Sequence, residues 1–434
     1  MMKRILILTY FFPPSNFAGS YRIASFAKYF HQFGYYPVII TRHAPENAGS
    51  FDEMAHDCCK EIAHKKEKGY EVFYLPYKGN LRDRIYAKYG DNRFVYIRRM
   101  LSFFEMLMQA VTPFSIPYSN LYSFTKKYLT THKDIKLIIT SGKPFQLFLF
   151  AHLLSKKSNI PWIADYRDEW NSRYPNNDFK IRWRERIYFL FESHLEKKWT
   201  RNISFATTPT EKWAEQIGNY LDKPCHVVMN GFDAEMCTAI EEAQSIKKKE
   251  DELTVLHLGS LYEWQPIEIF IRAVIELIKE NFQIKCIFPG VLNEAINEKR
   301  INDAAGEFSK HFKMMPRIPQ KETIKLMAEA DVFLMIGYQK FKGWMSLKLL
   351  EYLPWHKPIL LCPGNDYIEN VLKKYSLSCV CNNEKEVISV LRAIKNKGKN
   401  TISSDDKVFI DTFTRENQAA QLCQLMDNLL NKKA

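Results

Sequence analysis

The sequence predicts an α/β protein made of two doubly wound parallel sheets, each in its own domain. Two observations predict this fold class. Runs rich in β-branched residues, such as residues 4–10 (RILILTY), alternate with segments of helical hydrophobic period along most of the chain. The alternation occurs twice, on either side of a charged stretch at residues 238–252. Strands separated by helices pair in parallel, so each half should form one sheet, and we expect the two domains to face each other across a cleft.

The first half begins with a βαβ unit. Residues 4–10 form the first predicted strand, residues 20–34 a helix with apolar positions Ile23, Phe26 and Phe30 that ends at Gly34, and residues 36–42 the second strand. Residues 43–69 are polar and are predicted to be a loop. Further strands are predicted at 70–77, 135–142, 203–209 and 226–233, a strand with its following loop at 160–170, and helices at 98–111 and 182–201.

The domain boundaries follow from composition. We predict a first domain at 1–235, a linker at 236–252 because that stretch is charged and poor in aromatic residues, and a second domain at 253–400. Strands of the second domain are expected at 253–260, 282–290, 312–319, 331–338, 357–364 and 376–382. Residues 401–434 are predicted to be a helical tail that packs back on the first domain, because no strand follows it.

The composition limits the function classes. The chain has 434 residues and a net charge of +13, which favours a phosphate-rich or otherwise anionic partner, although a lysine-rich solubilising surface explains it equally. No nucleic-acid-binding motif is present. The nine cysteines show no C-x-x-C spacing, which favours a reducing compartment. No apolar run is long enough to span a bilayer. We therefore expect a cytoplasmic protein, with peripheral association at the inner membrane face as a further expectation. The Met- and Phe-rich segment 98–117 is predicted to serve core or interdomain packing; the alternative is a surface that meets a lipid-linked substrate.

Small residues follow the first strand of each half. Gly19 and Ser20 stand where the first helix begins, and Gly259 and Ser260 follow the strand at 253–260. Ligands of open α/β sheets bind outside the carboxyl ends of the strands, and a glycine there lets a phosphate approach the backbone. Both pairs are therefore predicted to offer room for a phosphate; the alternative at Gly19 is a simple turn into a helix.

Two clusters of charged residues carry the predicted chemistry. In ADYRDEW, Asp165, Arg167 and Asp168 could hold a sugar by its hydroxyls or position a base, with Trp170 as a flat surface for the ring; the alternative is a structural ion pair.

The second cluster lies in the segment GWMSLKLLEYLPWHKPIL. Ser346, Leu347, Lys348 and Glu351 are predicted to bind the donor, with the lysine on phosphate and the carboxylate on vicinal hydroxyls one turn away; the alternative is a surface salt bridge on a helix. No D-x-D and no metal-ligand spacing occurs, so no metal and no cofactor is predicted, and the nucleotide-sugar itself is the donor substrate.

Taken in order, these motifs resemble the family 4-like glycosyltransferases of the GT-B architecture, with two facing Rossmann-like domains. TYFFPPSNFAGSYRIASFAKYFHQFGYYPVIITR is similar to the family's first βαβ unit, TSGKPFQLFLFAHLLSKKSNIPWIADYRDEW to its middle motif, VMNGFD to the close of its first domain, and LKLLEYLPWHKPIL to its donor helix. The resemblance implies that Glu351 binds the donor ribose, that Lys348 neutralises phosphate, that Gly19 contacts the diphosphate, and that the anomeric configuration is retained.

The chain departs from the family pattern at several positions. Gly343 stands where the family has the first Glu of E-x7-E, Arg167 stands where a His is common, and Trp264-Gln265-Pro266 replaces the usual basic pair. Lys340 or Lys342 could supply the missing phosphate charge together with Lys348.

The predicted function is transfer of a sugar from a nucleotide-diphosphate donor to a glycan or lipid-linked acceptor in surface-polysaccharide biosynthesis. The alternatives are a sugar-nucleotide epimerase on the same fold and a degenerate, non-catalytic homologue that keeps the nucleotide site. The nucleotide and sugar are left open by the sequence.

Overall fold

The structure is a computed structural model of the full chain. It describes all residues except 1, 16–17, 46–59, 78, 174–182, 244–251, 338–342, 344, 398–401 and 433–434. The described chain divides into two compact units. The first contains Met1–Met229 together with Arg415–Ala434, and the second contains Asn230–Thr414.

The first unit is built on one eight-stranded sheet in the order β3-β4-β2-β1-β5-β6-β7-β8. Its strands are β1 Lys3–Leu8, β2 Tyr35–Arg42, β3 Ala63–Lys66, β4 Glu71–Leu75, β5 Leu137–Gly142, β6 Trp162–Tyr166, β7 Phe205–Thr208 and β8 Cys225–Val227. All neighbours pair in parallel except β3, which runs antiparallel to β4. Its helices are Ala18–Tyr29, Leu81–Tyr89, Val95–Gln109, Ser119–Thr131, Gln146–Ser158, Trp183–Thr200, Glu211–Leu221 and Arg415–Asn431, with short 3-10 helices at Phe30–Phe33 and Pro113–Ser115.

The core of the first unit explains why the early sequence pattern is so regular. Ile5 and Ile7 of β1 are fully buried and pack against Phe26 and Phe30 of the following helical segment. That segment ends at Gly34, whose φ of 79° lies in the left-handed region that glycine adopts without steric penalty. The predicted stop at Gly34 is thus confirmed.

The second unit is built on a six-stranded parallel sheet in the order β11-β10-β9-β12-β13-β14. Its strands are β9 Leu253–Leu256, β10 Ile284–Pro289, β11 Phe312–Met315, β12 Val332–Met335, β13 Ile359–Leu361 and β14 Ser378–Val380. Its helices are Ala234–Ala243, Glu268–Lys279, Ala295–Ala305, Gln320–Glu329, Leu347–Tyr352, Asp366–Leu372, Glu384–Lys397 and Ser404–Asp411, with 3-10 helices at Val291–Asn293, Gly306–His311 and Leu353–Trp355. The predicted fold class, two doubly wound parallel-sheet domains, is confirmed.

Three local features differ from the sequence prediction. Residues 234–243, which overlap the predicted linker, form a helix of the second unit that contacts the helix Gln320–Glu329. The polar stretch 43–69 contains the edge strand Ala63–Lys66, whose lysine side chains suit an exposed edge. The predicted tail divides between the units, because the helix Ser404–Asp411 belongs to the second and Arg415–Asn431 to the first.

The final helix is tied to the first unit by both apolar and polar contacts. Ala419, Leu422, Cys423 and Met426 are buried in the same core cluster as β1. Asp427 accepts hydrogen bonds from Lys3 Nζ at 2.5 Å and from the Tyr35 hydroxyl at 2.7 Å. Among the helices of the described residues, none combines the length and apolar character that crossing a membrane requires.

Candidate functional site

Both sheets place the predicted site residues near a reversal of strand order. In the first sheet β1 lies between β2 and β5, and in the second β9 lies between β10 and β12. Open α/β sheets bind ligands outside the carboxyl ends of the strands at such a switch point. Gly19 and Ser20 follow β1, Gly259 and Ser260 follow β9, and Lys348 follows β12. Each unit therefore has its own candidate cluster.

Lys348 is the centre of the cluster in the second unit. Its Nζ donates a hydrogen bond to the Ser260 carbonyl oxygen at 2.9 Å and lies 3.2 Å from His257 Nε2. Burial lowers the pKa of this lysine to about 7, while the nearby Glu351 carboxylate opposes that shift. A buried ammonium with so low a pKa is held in its charged form when an anion binds beside it.

His257 orients the lysine. Its Nδ1 lies 3.0 Å from the Leu334 carbonyl oxygen of β12, and a carbonyl only accepts, so the ring proton is assigned to Nδ1. The other nitrogen, Nε2, then accepts from Lys348. Burial and the lysine charge lower the pKa of His257 well below its ordinary value, so the ring is neutral at physiological pH.

Gly259 makes room for this arrangement. A side chain at Gly259 would place its Cβ 3.1 Å from Lys348 Cε, and its φ of +76° favours glycine. On the other side, a Cβ on Gly290 would lie 2.8 Å from the Gly259 Cα. The loops after β9 and β10 therefore contact each other through glycine backbones. Glycines at such positions allow a ligand to come close to the main chain.

The remaining predicted donor residues are the N-cap of the helix Leu347–Tyr352 and two residues within it. Ser346 is its N-cap and its side chain accepts from the Lys348 amide. Leu347 and Glu351 are exposed, and Glu351 lies close enough to raise the pKa of Lys348. The Tyr352 hydroxyl accepts from the Leu258 amide at 2.8 Å, which fixes the helix to the loop after β9.

The departures from the family pattern have structural counterparts. Gly343 is buried with a φ of +79°, a backbone that glutamate rarely adopts. Gln265, in the place of the usual basic pair, links the Tyr262 amide to the Ile336 carbonyl through its own side-chain amide, so it has a structural role. Lys340 and Lys342 lie outside the described residues, and their proposed contribution stays a prediction.

In the first unit, Asp165 is a fully buried carboxylate rather than an exposed base. Arg22 Nη2 lies 2.8 Å from its Oδ1, and the Ser141 and Thr207 hydroxyls donate to it at 3.0 and 2.9 Å. Ser141 and Thr207 are its register partners on β5 and β7. The carboxylate therefore joins three strands and one helix, and its geometry is that of a positioning residue.

Arg167 and Gly19 form a close pair beside the start of the first helix. The Arg167 guanidinium donates from Nε to the Gly142 carbonyl and from Nη2 to the Lys143 carbonyl, both at 2.7 Å. A Cβ on Gly19 would lie 1.2 Å from Arg167 Nη1. Burial lowers the pKa of Arg167, and the Ser20 hydroxyl is buried without a hydrogen-bond partner among the described residues. Gly19 is thus required for the position of a fixed cation.

Asp168 is the accessible carboxylate of the predicted trio. Its side chain is 47% exposed, and Lys143 Nζ lies 3.9 Å away. Trp170, predicted to offer a flat face, instead stacks on Phe145 with ring centroids 4.8 Å apart and nearly parallel planes. One face of the indole is therefore already covered by protein.

Sequence reasoning missed two groups. In the sequence, His257 is a lone histidine after a strand. Its contact with the Leu334 carbonyl oxygen joins residues 77 positions apart in the chain, so only the folded sheet reveals it. Glu196 is fully buried and accepts hydrogen bonds from the Tyr166 hydroxyl and the Asn171 side-chain amide at 2.9 Å. Burial raises the pKa of Glu196 and of Glu169 to about 7. Glu196 lies in the helix Trp183–Thr200, and a glutamate on a helix carries no such signal in the sequence.

In the part of the chain that the structure describes, no group of three or more His, Cys, Asp or Glu residues is arranged to hold a metal ion.

Comparison with known proteins places the fold. No protein-family model matches the chain. An uncharacterized glycosyltransferase of Methanocaldococcus jannaschii is 20% identical over 330 residues, covering 73% of this chain and 81% of that protein. Sucrose-phosphate synthase from Thermosynechococcus elongatus is similar with a TM-score of 0.66 and 12% identity, covering 99% of this chain and 100% of that one.

A second solved structure adds a bound nucleotide-sugar. Anabaena HepE in complex with UDP-glucose has a TM-score of 0.58 and 12% identity to this chain, covering 98% of it and 100% of the HepE chain. The resemblance to glycosyltransferases and the GT-B fold predicted from the sequence are confirmed by these comparisons.

Proposed function

We propose that this protein, which has the GT-B fold, is a glycosyltransferase that takes a sugar from a uridine diphosphate donor and passes it to a glycan or lipid-linked acceptor. The observation that carries the proposal is the half-buried Lys348 side chain, held by Ser260 and His257 at the switch point of the second sheet. Two of its hydrogens are directed at Ser260 and His257, which leaves the third for a phosphate oxygen. The UDP-glucose bound to HepE supports a uridine nucleotide.

The donor would be held by the second unit. Lys348 pairs with the diphosphate, and the backbone of Gly259 and Ser260 approaches it because Gly259 has no side chain. Glu351, exposed one turn after Leu347, accepts hydrogen bonds from the two ribose hydroxyls. Leu347 offers apolar contact to the nucleotide, and Ser346 fixes the start of the helix that carries all three.

The proposed chemistry is electrostatic. The bond between the anomeric carbon and the diphosphate oxygen breaks, the acceptor oxygen bonds to that carbon, and the acceptor proton leaves with the departing phosphate. Negative charge grows on the diphosphate, and a cation fixed beforehand stabilises it without reorganisation. Since Lys348 supplies this charge, we propose transfer without a metal and, following the sequence resemblance, with retention of configuration.

The first unit would receive the acceptor. Asp168 is the accessible carboxylate there and can accept a hydrogen bond from an acceptor hydroxyl. Arg167 supplies a fixed positive charge, and Asp165 positions it indirectly through the strand ends that it joins. We propose surface-polysaccharide assembly as the process, because a glycan or lipid-linked acceptor fits it.

Gly343 favours a second candidate function. A buried glycine with positive φ replaces the carboxylate that the family uses on the transferred sugar. A protein that binds the nucleotide without transferring the sugar would show this change. Binding and transfer must therefore be measured separately.

The test is a thermal-shift screen with UDP, GDP, dTDP and their sugars, repeated with Lys348→Met and Glu351→Ala. A ligand at about 100 times its Kd should stabilise the wild type by about 2.7 kcal/mol, and both variants should lose most of that gain. Lys373→Met is the matched control, since Lys373 is an exposed lysine of the same unit. If no nucleotide-sugar raises Tm, the proposed donor site is wrong.

Transfer is tested by UDP release from the donor that stabilises best, with and without a cell-derived glycan extract. Release that depends on the acceptor supports a transferase. Tight binding without acceptor-dependent release would support the non-catalytic alternative.

A further inference from the structure

The helix Val95–Gln109 has its polarity reversed relative to an ordinary surface helix. Its inward stripe contains Arg98, Ser102, Glu105 and Gln109, all buried or half-buried. Its outward stripe is apolar and consists of Tyr96, Met100, Phe103, Phe104, Leu107 and Met108, all exposed. At 100° per residue these outward positions span roughly 140° of the helix surface. The prediction of core packing is wrong for this stripe, which we call the apolar helix face.

The inward polar groups fix the rotation of the helix. Glu105 accepts from Asn80 Nδ2 at 2.8 Å and lies 3.3 Å from Arg82 Nη1, and both partners belong to the neighbouring helical segment. Arg98 pairs with Asp91 at 2.9 Å. Turning the helix to bury its aromatic residues would break these contacts. The apolar helix face is therefore held outward by specific hydrogen bonds.

The extent of this surface is unusual for a protein in water. Phe103 and Phe104 are 53% and 54% exposed, and Tyr96 is 85% exposed. Val111 and Phe114, which follow the helix closely in the chain, are also exposed. A row of exposed aromatic and aliphatic side chains on one helix of a folded domain marks a contact with a membrane or another protein.

The surrounding charge favours an anionic bilayer. Arg84, Lys88, Arg93 and Arg99 are exposed on the same helical hairpin, and Arg99 lies at the edge of the apolar stripe. Aromatic and aliphatic side chains bordered by exposed cations are the pattern of helices that lie in the headgroup region of anionic membranes. A second copy meeting the same face would bring these cations against each other, which disfavours a symmetric dimer.

We propose that the apolar helix face and its four cations dock the first unit onto an anionic lipid bilayer. The docking itself stands on this surface alone. Its use, which is to bring the acceptor side of the enzyme to a lipid-linked substrate, rests on the proposed function.

The test is sedimentation of the full-length protein with vesicles of phosphatidylcholine and with vesicles that also contain phosphatidylglycerol. We expect binding to the mixed vesicles that weakens as salt is raised. The double variants F103S/F104S and R93E/R99E should each bind at least about tenfold more weakly. I296S is the matched control, because Ile296 is 54% exposed on a helix of the second unit and should bind as the wild type does.

Three results would overturn the inference: no binding of the wild type to anionic vesicles, unchanged binding by F103S/F104S, or a concentration-dependent dimer that only F103S/F104S abolishes. Circular dichroism and Tm establish that each variant is folded. UDP-induced stabilisation is measured on the same samples. Vesicle binding without stabilisation by UDP would reject the proposed function and keep the docking inference. Stabilisation by UDP without vesicle binding would keep the proposed function and reject the docking inference.

Discussion

Replacing Lys348 by methionine should stabilise the protein while abolishing its response to nucleotide. In the fold the pKa of Lys348 falls from 10.5 to about 7 because the ammonium is buried. At about 1.36 kcal/mol for each pH unit, charging this group below pH 7 opposes folding by at most about 5 kcal/mol. The variant removes that penalty, but His257 Nε2 and the Ser260 carbonyl lose a donor, at about 1 kcal/mol or more each. We expect a net gain of about 1–3 kcal/mol at pH 6.5.

The pH dependence tests the cause of this gain. The unfolded chain binds a proton at Lys348 up to about pH 10.5 and the native protein only up to about pH 7. The unfolded state therefore holds more protons between these values, and wild-type stability rises with pH across this window. The advantage of Lys348→Met should accordingly be largest at pH 6.5 and should shrink by pH 9.

The assay is thermal unfolding of wild type, Lys348→Met and the exposed control Lys373→Met at pH 6.5, 8 and 9, with and without UDP. A gain of about 1–3 kcal/mol corresponds to a rise in Tm of several degrees for a domain of this size. A Lys348→Met protein that melts below the wild type at pH 6.5, or whose advantage is the same at every pH, would refute the reasoning. So would an undiminished response to UDP.

Further substitutions and conditions separate the roles of the other residues. Gly19→Ala places a Cβ 1.2 Å from Arg167 Nη1. UDP release in the presence of acceptor should therefore slow by roughly tenfold or more, while Tm falls only slightly. Equal losses of activity and stability would mean that Gly19 has only a structural role. Asp165→Asn removes the charge that pairs with buried Arg22 and should lower the free energy of unfolding by about 3–5 kcal/mol in urea titrations. Asp168→Asn, at a half-exposed position, should change stability by less than about 0.5 kcal/mol and instead reduce kcat, and a large fall in stability would remove it from the acceptor site. UDP affinity measured by calorimetry should fall by up to about tenfold per pH unit above 7, as Lys348 loses its proton, and a flat profile would contradict the phosphate contact.

The strands and their order along the chain could be predicted from hydrophobic pattern because their burial is nearly complete. Ile5, Ile7, Val255 and Leu334 are fully buried, so little except apolar residues fits those positions. The edge strand Ala63–Lys66 could not be recognised in this way, because three of its four residues are exposed. The helix Ala234–Ala243 was missed because its charged sequence resembles a linker.

The candidate site was predictable as a set of loops but not as a set of contacts. The small residues Gly19 and Gly259 and the basic residue Lys348 mark the carboxyl ends of strands, and their positions follow from the strand–helix pattern. Whether a given carboxylate there is buried or exposed depends on groups far away in the chain. Asp165 and Asp168 are three residues apart, yet one is enclosed by Arg22, Ser141 and Thr207 and the other is open to solvent.

The sequence by itself determined the two α/β sheets, the glycine-marked loops and the resemblance to GT-B glycosyltransferases, because each of these is a local pattern of residue types. Only the tertiary structure decided that Asp165 is enclosed by Arg22 and two hydroxyls, that His257 contacts Lys348, and that the aromatic stripe of the helix Val95–Gln109 faces outward. The physical reason is the same in all three cases. Burial and charge pairing act between residues that are close in space and distant in the chain, so no local window of sequence contains them.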